Sequence, residues 1–382
     1  MYPDTDSRRR LRFSCRQIDS IESNSTLPDE QFRVYLKIMQ VLRAGLQFGC
    51  NIQTAEATVD SESGNGDPKM NMLNCSFQFF HHARLVSALA VFPIRASVFW
   101  PYFSSAILLV IGLIKVIKDE LPQRHGLDKI LPFGRLFFAI PMGVFGTEHF
   151  TATTFIVRLV PRWIPLHTFW VYLVGVALIA AALSIILEKH ARLAATLLGC
   201  MLLLFVVLLH IPSIVATHGA RLFWAIALRD LAFSGGAFAL AGRPLKTTTP
   251  SGGAPWLVTL SRFFIGIPAM VFGVEQFLYP TLTPGVPLEK ATPAWIPGHL
   301  LWAYLAGAVL IPCGACIIVN KKVRLAATCL GIVILLVVVF VYLPIMVTSL
   351  SDIGEGLNFF VDTLAFAGTA LVLADAIRER SV

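Results

Sequence analysis

RLFFAIPMGVFGTEHF at residues 135–150 and RFFIGIPAMVFGVEQF at residues 262–277 are the same segment written twice in one chain, 127 positions apart. The correspondence continues. PRWIPLHTFWVYLVG (161–175) matches PAWIPGHLLWAYLAG (293–307), and ARLAAT (191–196) matches VRLAAT (323–328). DLAFSGGAFAL (230–240) then returns as DTLAFAGTALV (362–372). The later offset is 132, so one insertion of five residues lies in a loop and the rest keeps register. A repeat within one chain is its own comparison: positions held in both copies stand apart from those that drifted.

The 382 residues are 56% hydrophobic and 14% charged, with a mean hydropathy of +0.71. A membrane-spanning helix needs roughly 20 apolar residues to cross about 30 Å of hydrocarbon. The apolar stretches from position 99 onward number nine, and the last eight form two sets of four. The reading is an all-α membrane protein: two parallel-repeat four-helix bundles plus one extra N-terminal transmembrane helix. Residues 1–97 read as mostly disordered with one helix near 31–48, the alternative being a true start near Met70 or later. The extra helix falls at 98–118, the first unit at 131–243, a Gly/Pro/Ser/Thr linker at 244–256 and the second unit at 257–378.

The formal net charge of +8 invites a nucleic-acid reading, but its distribution argues for a lipid bilayer and no nucleic acid. The first loop holds Lys115, Lys118, Arg124, Lys129 and Arg135, and alternate loops after it carry Lys189, Arg192, Arg243, Lys246, Arg262, Lys321, Lys322 and Arg324, with Arg378 and Arg380 at the tail. The opposite loops hold only Arg158, Arg162, Arg221 and Lys290. By the positive-inside bias this places the basic loops and the C-terminus in the cytoplasm of a cell-membrane protein.

Glu148 and Glu275 recur in both copies and read as lying near the middle of their spans. An ionisable group at membrane depth is expensive and is a functional candidate by default. Such an acid either handles protons, the catalytic reading, or hydrogen-bonds a neighbouring helix and locks the bundle. Asp230 and Asp362 are the second repeated acid, with Arg135 and Arg262 as the expected partners across the bundle. Arg229 precedes Asp230, but sequence neighbours do not face one another on a helix, so that pair is not expected to bond. Arg192 and Arg324 recur as anchors. Trp163 and Trp295 sit in repeated Trp-Ile-Pro turns and read either as interfacial anchors or as the wall of a pocket for a flat ring. His167 and His299 follow those turns, one per copy, which is too few ligands for a metal. His149 and His210 become Gln276 and Tyr342 in the second copy and rank lower. Cys313 and Cys316 form a CxxC pair inside an apolar helix, where thiols behave as small hydrophobes.

An Arg opening the first span, G-x-E within it, W-x-P-x-H before the second and R-L-A-A-T opening the third resemble the DoxX-like membrane family. That resemblance implies four-helix units, here two in tandem over about 135–376. It also implies association with membrane redox complexes, including a subunit linked to thiosulfate:quinone oxidoreductase. A quinone-associated component would need a redox partner protein, because the chain carries no haem, flavin or iron–sulfur signature of its own. The alternatives are a small-molecule transporter or binder, or a purely structural scaffold.

Overall fold

The computed structural model describes residues 96–243, 254–350 and 352–377. Expectations for residues 1–95 and for 244–253 of the linker lie outside the described residues. Nine helices among the described residues are long and apolar enough to cross a membrane, which makes the chain a multi-pass membrane protein.

Helix α1 (Ala96–Lys115) continues through a widened turn to Glu120. Four helices follow: α2 (Leu131–Thr151), α3 (His167–Leu187), α4 (Ala191–Phe205) and α5 (Arg221–Gly242). Four more complete the chain: α6 (Pro255–Leu278), α7 (His299–Ile318), α8 (Val323–Val337) and α9 (Phe359–Ala376). Proline at the first helical positions, Pro132 in α2 and Pro255 in α6, presets φ where no donor is lost. Pro255 and Trp256, assigned to the linker from sequence, thereby belong to α6.

Helices α4 and α8 each widen into a π turn, Val206–His210 and Val338–Tyr342, just before Pro212 and Pro344. The cause is local: a proline supplies no N–H and its ring crowds the carbonyl four residues back. The wider turn absorbs that conflict without ending the span.

The two sets of four helices pack into one another. α2 lies against α3 and α9, α5 against α4 and α6, and α5 and α9 also meet each other. The remaining neighbours are α3 with α4, α6 with α7 and α9, α7 with α8 and α8 with α9. The result is a closed circuit with α5 and α9 in contact across its centre, and α1 leaning on α2 and α3 from outside. Small residues permit the tight crossings: a Cβ at Gly146 would come within 2.9 Å of the Gly175 carbonyl, and one at Gly307 within 3.0 Å of the Gly273 carbonyl. Gly146 and Gly273, the glycines of the repeated G-x-E, thus stand at two close backbone approaches.

The five-residue insertion has a location. Between α6 and α7 the chain forms a loop with an isolated antiparallel bridge, Leu282 to Ala291. Residues 283–288 of that loop are buried. The first copy's connection, between α2 and α3, leaves Phe155, Leu159, Trp163 and Leu166 exposed.

Candidate functional site

Helices alternate in direction, so each has a basic end, beside the Lys/Arg-rich loops, and a far end. Glu148 and Glu275 belong to the far end. Each stands three residues before the end of its helix, and its carbonyl accepts the first N–H beyond or at the helix terminus, from Ala152 and Tyr279 at 2.7 Å. The mid-span placement read from sequence is thus corrected. The helices start earlier than the apolar runs do, at Leu131 and Pro255, and stop just past the acids.

At the centre of the far half, where α5 meets α9, one guanidinium serves two carboxylates. Arg229 Nε donates to Asp230 Oδ1 at 2.9 Å. Its Nη1 donates to both oxygens of Asp362, at 3.1 and 3.0 Å. The second oxygen of Asp230 meets His210 Nε2 at 2.7 Å, delivered by the π turn that ends α4. Asp230 and Asp362 are 7% and 4% exposed, so water supplies little of this stabilisation. Arg229 also lies over the Phe233 ring, 5.9 Å from its centroid.

Two expectations fail here. Arg229 does bond its neighbour Asp230, because the arginine side chain is long enough to turn back across the roughly 100° between successive residues. Arg135 and Arg262 do not serve the aspartates, because they sit at the opposite ends of their helices. Arg135 bonds Glu188 and, at 2.5 Å, Glu120. Arg262 donates to the carbonyls of Ile317 and Ile318 at 2.9 and 2.8 Å, capping the basic end of α7.

Glu148 and Glu275, equal in the sequence, part company. Glu148 faces Asn358 and lies nearest the charges of Asp362 and Arg229, and its Oε1 is buried with no hydrogen-bond partner. Glu275 pairs with Arg221, Nη1 to Oε2 at 3.5 Å. The same guanidinium donates to the Pro287 carbonyl of the inserted loop at 2.6 Å and stands 5.3 Å from the Tyr279 ring centroid. Glu275 thus helps hold a loop, while Glu148 keeps an oxygen to use.

His167 bonds locally, its Nε2 3.1 Å from the Pro161 carbonyl, and His299 begins α7 half-buried. Trp163 and Trp295 are 67% and 54% exposed, which suits a water–lipid boundary. No group of three or more His, Cys, Asp or Glu side chains able to hold a metal occurs among the described residues.

The basic end carries its own network. Arg243 bonds Glu188 at 3.0 Å and Asp375 at 3.1 Å, and Arg124 bonds Asp375 at 2.7 Å. Arg324 reaches Asp128 at 2.6 Å, and Arg192 donates to the Arg243 carbonyl at 3.2 Å. Burial alone would push the Glu188 carboxyl up, but the guanidiniums of Arg135 and Arg243 outweigh it and hold it below the usual carboxylate range. For Arg243, burial pulls the other way too, and Asp375 and Glu188 still raise it above its ordinary value.

Arg229, His210 and Arg221 carry the far-half chemistry, and comparison of the two copies passed over all three because none recurs. The available signal was simpler. His210 and Arg229 are ionisable residues inside apolar runs, and depth alone nominates them.

A family model described as a domain of unknown function (DUF8561) matches residues 138–227, from within α2 into α5. That match includes Glu148, His210 and Arg221 and stops just short of Arg229 and Asp230. No curated protein matches the chain, and no solved structure matches it.

Proposed function

We propose that this chain is a DoxX-like integral membrane protein, two tandem four-helix units, acting in the cell membrane as a quinone-associated component of a redox complex. The tandem reading is supported by backbone that recurs at the sequence offset of 132. Leu166 and Gly298 have φ of 57° and 63°, Glu188 and Asn320 of 57° and 59°, His190 and Lys322 of 53° and 48°. Left-handed φ is uncommon away from glycine, so three matched pairs weigh more than matched helices would.

One observation carries the functional reading: a partnerless buried carboxyl oxygen on Glu148 beside a continuous acid–base set of Asp362, Arg229, Asp230 and His210. Glu148 can give or take a proton at Oε1, and Asn358 beside it carries an amide whose own Oδ1 lacks a partner. An acid and an amide side by side fit the carbonyl edge of a quinone. When bound, a quinone would accept electrons from a redox partner protein. The chain's residues supply position and protons: Asn358 orients, Glu148 exchanges a proton, and Arg229 keeps Asp362 and Asp230 fixed. A transporter would use the same cluster to bind a solute, and a scaffold only to join α5 to α9.

Purification with native lipids followed by mass spectrometry of the extract separates these readings. A bound quinone, together with loss of quinone-dependent turnover in a folded Glu148→Gln protein, is the expected result. A folded Glu148→Gln protein with unchanged turnover and unchanged growth of the host would end the proton-handling idea.

A further inference from the structure

Next to Asp362, at the far end of α6–α9, Tyr342 meets Thr283 and Thr363, and Gln276 lies at the same end. Gln276 and Thr283 are fully buried, and Tyr342 and Thr363 are each 1% exposed. The inserted loop reaches down to them. Tyr342 donates its hydroxyl proton to the Pro284 carbonyl at 2.8 Å, and its oxygen stands beside the hydroxyls of Thr283 and Thr363. Gly285, at φ +101°, presses its backbone on Thr363: a Cβ there would lie 2.9 Å from the threonine Cγ2. Gln276 joins them by register. It sits one turn beyond Phe272, whose ring meets Phe366 of α9 edge-on at 5.7 Å, and its Cβ borders Gly307 of α7.

The two threonine hydroxyls flank the Tyr342 oxygen, and register sets Gln276 at the same end of α6 and α9. Both amide atoms of Gln276 and the hydroxyl oxygens of Thr283 and Thr363 lack hydrogen-bond partners. Buried polar groups are nearly always paired, so four such atoms in one place indicate a missing partner molecule rather than four separate faults. The nearest charges are already engaged, Asp362 by Arg229 and Glu275 by Arg221, so a charged guest would find no free counter-ion. The first copy offers no such set. It has His149, Leu231 and His210 at the matching positions, and His149 is bonded to the Phe145 carbonyl.

We propose that Gln276, Thr283, Tyr342 and Thr363 form a binding site for a small uncharged molecule of amide type, roofed by residues 280–298. Gln276 presents one donor and one acceptor side by side, the complement of another amide. The threonine hydroxyls adapt to either role. The paired rings of Phe272 and Phe366 give an apolar floor on which a flat molecule would rest. This site does not depend on the proton-handling reading, since Glu148 is not one of its groups.

The test uses the full-length protein in lipid nanodiscs, with benzamide and acetamide as probes and benzoate and toluene as charged and apolar controls. The amides are expected to raise the melting temperature saturably and the controls to leave it unchanged. Gln276→Leu and Thr363→Val should lose the amide response, whatever their own melting temperatures. Variants that keep the response would show that these groups do not hold the amide, and the proposal would fail. A parent indifferent to both amides would overturn it equally. Saturation-transfer NMR of benzamide on the parent and on Thr363→Val covers the case in which Gln276→Leu does not fold. A signal absent from the parent, or undiminished in that variant, refutes the site.

Discussion

Arg229 of α5 and Asp362 of α9 meet through two hydrogen bonds, 3.0 and 3.1 Å long, on the one contact that crosses from the fifth helix to the last. Removing the cation would leave Asp230 and Asp362 buried with their charges unanswered. Arg229→Gln is therefore expected to destabilise the fold by roughly 3–5 kcal/mol. Adding Asp362→Asn should recover part of that loss. Reversible unfolding in bicelles, run as a double-mutant cycle, measures both, and simple additivity would contradict the coupling.

His210 contributes through Asp230 alone in this cluster, by its 2.7 Å contact. His210→Leu should cost about 1–3 kcal/mol, the range for a buried polar group left unmatched. The same unfolding assay reads it. A loss as large as that of Arg229→Gln would show that the imidazole does more than complete Asp230.

Glu148→Gln and Glu275→Gln should behave differently despite their matching places in the sequence. The first removes an acid with one unpartnered oxygen and is expected to abolish proton-dependent activity with little change in stability. The second weakens the Arg221 anchor of the inserted loop and is expected to lower stability, with faster proteolysis between α6 and α7. Limited proteolysis of both variants beside the parent decides this.

Acid sensitivity should begin at the basic end. Glu188 is held below its ordinary range in the folded protein, so its contribution is complete above the unfolded carboxyl value. It is lost as pH falls through the lowered folded value. The stability curve of Glu188→Gln should therefore flatten on the acid side and converge with the parent at low pH. Thermal denaturation across pH 3–7, about the carboxylate range, provides the measurement, and parallel curves would exclude the role.

Gly285→Ala should destabilise by about 1 kcal/mol or more, because φ +101° disfavours a side chain and the new Cβ would strike Thr363. A melting temperature equal to the parent's would show that the loop does not press on α9.

How much of this was legible beforehand depends on which interactions are encoded by repetition. The nine spans follow from apolar run lengths, and the close crossings at Gly146 and Gly273 follow from small residues kept in both copies. The charged cluster does not, for a geometric reason. Asp230 and Asp362 recur, but they converge on one arginine, and Val361 occupies the position matching Arg229. Where two repeated acids meet at a shared contact, one cation answers both, so the residue that matters most there breaks the pattern. The helix ends were illegible for a different reason. Hydropathy marks the apolar interior of a span, while the helices stop at Thr151 and Leu278, which leaves Glu148 and Glu275 in the last turn rather than the middle.

The contact of α2 with α9 has a consequence for how the protein is made. Asn358, the neighbour of Glu148, is synthesised 210 positions later. At roughly 5–20 residues per second this is a wait on the order of 10–40 s, during which α2 is already translated and its final partner is not. Through that interval the face of α2 that α9 will cover, with the Glu148 carboxyl near its end, stands against lipid or an insertion chaperone. A nascent chain arrested after residue 350 is expected to crosslink there to the insertion machinery, and the released chain of 382 residues is not. Synthesis therefore leaves the circuit open until α9 arrives, and through that interval the acid most central to the proposed work is in view of quality control.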